Sequence, residues 1–310
     1  MSLKNSDEIN SELSEDEISV LVKEETIKQT KKRDVKQIFW SISLYLIFLV
    51  IGWITVGPVQ WGNVPIGNVF KIIFKIGVPV ILLVVSIIFY KIEKCKEYWE
   101  VTFSFFIGSF AFLVVWLFGF IPMFDTEIIR GFALTKLVDS IIIIIPVIVL
   151  VLLVKIDFKS IYLSIGKWKL GLLIGIPGFI IFMLISFPVS KLMFGATDLT
   201  LNEVLTWSPW ILIFIFSNAI MEEIIYRGLF LKKYEKYFHP LLANLLQTII
   251  FALMHFGVTY TTDQFIFLGV NTLLAFGWGF VAQKTDSLIA PILLHAGADF
   301  IVIIGIFSQM

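Results

Sequence analysis

The chain has 310 residues, 58% of them hydrophobic and 15% charged, with 31 Phe and 9 Trp, and its mean hydropathy is +0.93. Soluble domains are about half apolar and about a quarter charged, so soluble globular, disordered, fibrous and disulfide-stapled classes are excluded. The 24 basic and 24 acidic residues cancel, leaving no electrostatic footprint for nucleic acid, and the lone Cys95 fits neither an internal disulfide nor a zinc spacing.

Residues 1–36 are polar and carry both signs of charge, without the early apolar stretch of a secretory signal. They are read as an uncleaved cytosolic tail, mobile apart from a short helix around 18–27. Apolar runs close to the ~20 residues that cross ~30 Å of hydrocarbon follow. They lie at 37–57, 69–90, 101–121, 139–154, 170–194, 209–231, 240–257, 265–283 and 288–308. The expected fold is therefore all-α, a polytopic bundle of about nine transmembrane helices, with eight or ten as alternatives because the fourth and seventh runs are short. The runs are continuous rather than alternating, which argues against a β-barrel.

Basic residues between spans set orientation. Lys91, Lys94 and Lys96, then Lys155, Lys159, Lys167 and Lys169, then Lys232, Lys233 and Lys236, then Lys284 fall in alternate gaps, whereas the other gaps hold Arg130 and Lys136. This predicts a multi-pass protein of the plasma membrane with its N-terminus in the cytosol and its C-terminus outside. Lys71, Lys75 and Lys191 lie near span ends, where they are expected to snorkel to the interface. Gly171 and Gly175 are expected to allow close helix approach in the fifth span.

Ionisable groups at membrane depth are costly and need an explanation. Glu222 and Glu223 sit together in the sixth span, and Glu223 pairs with Arg227 at i,i+4, which leaves Glu222 as the carboxylate free for general-base work. His255 ends the seventh span, while His295 and Asp299 share a face of the ninth. Counting ~1.5 Å per residue, all three groups can meet in the cytosolic half of the membrane. Glu222 can then take a proton from water oriented by His255, and His295, held by Asp299, can serve the oxyanion. Such hydrolysis needs no Ser or Cys nucleophile, only a watered pocket opening to the cytosol. No cofactor is certain; Glu222, His255 and His295 could also hold a divalent metal such as zinc, although the two histidines four apart of the usual zinc-protease helix are missing.

Glu222-Glu223-x-x-x-Arg227-Gly228, Phe251-x-x-x-His255 and His295-x-x-x-Asp299, in that order, resemble the three motifs of the CPBP (CAAX protease and bacteriocin-processing) family, also called Abi, which includes the Ras-converting enzyme. The resemblance covers about residues 155–310, taken as the catalytic core, with 37–154 as N-terminal spans. It implies a helical intramembrane endopeptidase acting on a membrane-associated peptide or protein, prenylated in some members. By that resemblance Glu222 and His255 activate water, His295 and Asp299 form the oxyanion site, and Glu223 and Arg227 support them. Asp299 stands where prenyl-protein processing members commonly have Asn. A proton-coupled transporter using these residues as a relay is a competing expectation; so is a non-catalytic regulator or bacteriocin-immunity protein of the same fold.

Overall fold

The computed structural model describes residues 15–57, 68–118 and 123–310, with side chains from residue 35 onward. Its helices are α1 Glu15–Val56, α2 Asn68–Lys91, α3 Trp99–Phe118, α4 Ile129–Leu153, α5 Trp168–Phe194, α6 Leu201–Glu223, α7 Pro240–Met254, α8 Gln264–Thr285 and α9 Ile289–Phe307. A π-helical stretch, Ile224–Leu231, and the turn Lys232–Tyr234 continue α6. Among the described residues eight helices are long and apolar enough to span a bilayer, and Pro240–Met254 is a shorter apolar helix. The protein is an integral multi-pass helical bundle.

Each expected run corresponds to one helix, but several bounds move. The helix of the first span starts at Glu15, so part of the segment read as a mobile tail is helical, and residues 1–14 of that reading lie outside the described residues. The Glu- and Lys-rich stretch before the span holds neither Gly nor Pro, so nothing in it stops the helix. Two compact units result, 1–48 and 49–310, the first being the N-terminal part of α1.

The fourth helix begins ten residues earlier than its apolar run, at Ile129 rather than 139, and its exposed Arg130 and half-buried Lys136 each lie against an aromatic ring. The Arg130 guanidinium lies 5.6 Å from the Trp210 ring and the Lys136 ammonium 5.9 Å from that of Phe214, where the aromatic face offsets part of the desolvation. Lys75 likewise does not snorkel: it is buried, with Nζ 5.9 Å from the Trp116 ring.

Four connecting segments form a hydrogen-bonded plate at one end of the bundle. Lys232 Nζ donates to Asp286 Oδ1 at 2.8 Å, and Lys233 Nζ to Glu100 Oε2 and Ser160 Oγ, each at 3.0 Å. The Lys167 N–H donates to Thr285 O at 2.7 Å and Tyr162 OH to Glu235 Oε1 at 2.6 Å. Burial, then the Glu235 carboxylate, push the Tyr162 hydroxyl above its usual range, so it remains a donor. This end carries the lysines of residues 91–96, 155–169, 232–236 and 284. At the opposite end the 255–263 segment is tied to α5 by Thr262 N–H donating to Met193 O at 2.9 Å, and the C-terminus by Gln309 Nε2 donating to Phe194 O at 2.6 Å.

Helix α9 is pressed onto α5 and α6. A Cβ on Gly175 would lie 3.0 Å from Leu293 Cβ, and one on Gly297 3.0 Å from Phe179 Cα, so the two backbones meet through missing side chains. Ala133, Ile211, Ile215, Ala219, Phe300 and Ile304 then close a core between α4, α6 and α9.

Gly297→Leu should separate α9 from α5 and lower stability by about 1–3 kcal/mol. Gly277→Ala, whose methyl would find no atom within 4 Å, should leave the melting temperature unchanged or raise it. Thermal unfolding in detergent by tryptophan fluorescence reads both; equal losses would refute the close-contact account.

Candidate active site

Helices α6, α7, α8 and α9 each contribute to one buried polar cluster. Glu222 and Glu223 stand where α6 passes into its wide π turns, a distortion often found at functional sites. The turns include Gly228, whose missing Cβ admits the 158–161 turn: a methyl there would lie 3.1 Å from Ile161 O. The span expected over 209–231 is present, and its last turns are π-helical, which leaves no mark in a hydrophobic pattern.

Glu223 Oε1 accepts from Arg227 Nη1 at 2.7 Å and lies 2.7 Å from His295 Nδ1, all three residues being buried. Arg227 Nη2 donates to Ala275 O of α8 at 2.9 Å. One carboxylate oxygen thus ties α6 to α9, and its guanidinium partner ties both to α8. Two rings complete this support: Phe251 and Trp278 lie 4.8 and 5.3 Å from the guanidinium, and Trp278 stacks on His295 at 4.3 Å. Removing one member of a buried ion pair strands the other, which is far costlier than the pair's net worth.

The expected hold of Asp299 on His295 is replaced by that of Glu223. Asp299 Oδ1 is 3.6 Å from His295 Nε2, too long for a hydrogen bond, and Asp299 Oδ2 accepts from Asn218 Nδ2 at 2.9 Å. Glu222 Oε2 is also 3.6 Å from His295 Nε2 and makes no hydrogen bond. His255 Nδ1 lies 3.0 Å from Phe251 O, so the N–H sits on Nδ1 and Nε2 is left as an acceptor. Ser217, which is buried, bonds back to Ile213 O on its own helix.

Glu222, His255, His295 and Asp299 line one cavity of about 580 Å³, within the size range of ligand sites. Glu223 and Arg227 lie behind it. The cavity also receives Asn218, Asn271 and Trp278, which sequence reasoning missed because no spacing links them to the motifs. Asn271 Nδ2 is buried and unpartnered.

Two expectations bear on this cavity. The expected opening is toward the lysine-bearing end, yet the cavity lining runs the other way, to Thr126 and Tyr260, and none of it comes from the plate segments. Arg227, Gly228 and Leu231, all buried, fill the space on the plate side of the carboxylates. As for metal, among the described residues no three His, Cys, Asp or Glu side chains are grouped to hold an ion. His295 commits Nδ1 to Glu223 and His255 commits Nδ1 to Phe251 O, which leaves Nε2 of each ring uncommitted.

Arg227→Leu should therefore cost about 3–5 kcal/mol by leaving Glu223 buried alone. The isosteric Glu222→Gln, at a group that carries no structural bond, should leave the melting temperature near that of the native chain. Comparable losses in the two variants would contradict this division of labour.

Residues 204–301 match the family model described as type II CAAX prenyl endopeptidase, Rce1-like. No curated protein and no solved structure matches the chain significantly. All six motif residues fall inside the matched segment, so residues 204–301 are similar to the Rce1-like CAAX endopeptidases where the motifs lie.

Proposed function

We propose that the chain is an intramembrane endopeptidase that hydrolyses a peptide bond of a membrane-associated peptide or protein, with residues 155–310 as its catalytic core. What supports this reading is the Glu222 carboxylate: it lines a cavity, has an unbonded oxygen, and shares that cavity with imidazoles from two other helices. Glu223, whose Oε2 is also unbonded, differs in committing Oε1 to Arg227 and His295 and in not lining the cavity.

Water held between Glu222 and His255 Nε2 gives its proton to Glu222 and attacks the scissile carbonyl carbon. With Nδ1–H given to Glu223, His295 can donate from Nε2 as the imidazolium, whose charge Glu222, Glu223 and Asp299 compensate. Its Nε2–H and the unpartnered Asn271 Nδ2 would receive the oxyanion. Collapse of the tetrahedral intermediate breaks the C–N bond, and the proton held by Glu222 passes to the leaving amine. Asn218, bonded to Asp299, supplies the amide that other members carry at the third motif's last position.

The test is cleavage of fluorescence-quenched membrane peptides, prenylated and unmodified, by the full chain reconstituted in liposomes. Glu222→Gln and His255→Ala should each lower kcat/KM by about 10²–10⁴-fold. Asn271→Ala should lower it by about 10²–10³-fold, mostly in kcat, as loss of an oxyanion donor does. Full activity in Glu222→Gln would end the reading.

A further inference from the structure

We infer that the catalytic acid is reached from the extracytoplasmic side of the membrane, so that the bond cut belongs to an outward-facing, membrane-held peptide segment. The inference rests on the peptidase reading for the word "cut" and on two independent observations for its direction.

The first is where the basic residues lie once the chain is folded. The segments gathered in the plate, 92–98, 154–167 and 232–239, all carry lysines, and Lys284 flanks the 286–288 turn beside them. The segments at the opposite end, 123–128, 195–200 and 255–263, and the last three residues, contain no Lys or Arg. Arg130, Lys136, Lys191, Lys71 and Lys75 are the basic residues in the helix turns nearest that end; Arg130 and Lys75 are turned onto tryptophans, and Lys136, which lines the cavity, onto Phe214. Short loops rich in Lys stay in the cytosol, so the plate is the cytosolic face.

The second is the direction of the cavity. It starts at Glu222, His295 and Trp278 and reaches the lysine-free end at Thr126, Val258 and Tyr260. His295 is only six residues into α9, about 9 Å from the plate end of that helix. The acid is thus near the cytosolic face in depth, yet buried Arg227, Leu231 and Lys233 stand between it and the cytosol. A segment entering from outside passes Tyr260, which lines the cavity from the 255–263 segment. Burial, then Glu222 and Asp299, hold that hydroxyl above its usual range, so it remains a donor to an incoming peptide carbonyl.

Cysteine accessibility tests the direction without requiring activity. The native Cys95 reports on the plate. In a Cys95→Ser chain, Thr126→Cys reports on the far end and Val258→Cys on the cavity mouth. A membrane-impermeant maleimide added to intact cells should label Thr126→Cys and Val258→Cys, and label Cys95 only after permeabilisation. Labelling of Cys95 in intact cells, with the other two protected, would overturn the inference. Thr126 is exposed, so that variant serves if Val258→Cys fails to accumulate. In sealed proteoliposomes sorted by the same labelling, a quenched peptide bearing a sulfonated, impermeant dye should be cut only when presented at the Thr126 face. Cleavage from the Cys95 face alone would also overturn it. Absence of cleavage from both faces would instead count against the peptidase reading, leaving the labelling result to stand.

Discussion

One buried carboxylate oxygen, shared by a guanidinium and an imidazole inside a membrane-spanning bundle, constrains everything around it. Glu223 Oε1 is the hub, bonded to Arg227 at 2.7 Å and against His295 Nδ1 at 2.7 Å. An unpaired charge at this depth costs at least a few kcal/mol, so the hub must be satisfied before α6, α8 and α9 can pack at all. Arg227 uses its second terminal nitrogen on the Ala275 carbonyl, a backbone group that helix geometry would otherwise reserve for α8 itself. The π turns after Glu223 and the methyl-free surface of Gly228 supply the backbone room for that reach.

With the hub satisfied by Glu223, its neighbour Glu222 is released from structural duty. Adjacent residues on a helix project about 100° apart, so one acid can face the ion pair while the other faces the cavity. The aromatic shelf extends the same division. Trp278 lies against both Arg227 and His295, so the imidazole is fixed on one face by stacking and at Nδ1 by hydrogen bonding, and only Nε2 is left to meet a ligand. His255 is fixed by a different device, its own helix's Phe251 carbonyl. Two histidines of equal chemistry thereby present opposite capacities, one an acceptor and the other a donor when protonated.

Much of this was legible in the residues. Nine apolar runs became nine helices because continuous apolar sequence in a bilayer has no alternative to helix, and the Glu223–Arg227 pair follows from i,i+4 spacing alone. What was not legible depended on neighbours from other helices. The first ten residues of α4 look like loop because Arg130 and Lys136 are charged, and the rings of Trp210 and Phe214 against which they lie come from another helix. The i,i+4 rule that found the ion pair mispaired His295 with Asp299, since Glu223 offers a shorter bond across the bundle than Asp299 does along its own helix. Asn218, Asn271 and Trp278 carry no spacing signal, being near the acids only after folding.

The lysine plate connects the fold to the direction of the chemistry. A loop that holds basic residues for orientation must still bury its backbone polar groups wherever it covers the bundle. Here the lysines do both, bonding Asp286, Glu100 and Ser160 across three segments. Bonding of that density closes the end it covers, because each cross-segment contact removes a route for water toward Arg227. The 255–263 and 195–200 segments have no basic residue with which to build such a lattice, and the tie there runs mainly through backbone carbonyls at the end of α5. The end without lysines is therefore the end where a cavity can persist. In this fold the lysine-bearing end is the closed one, and the cavity that holds the buried acid is lined toward the other.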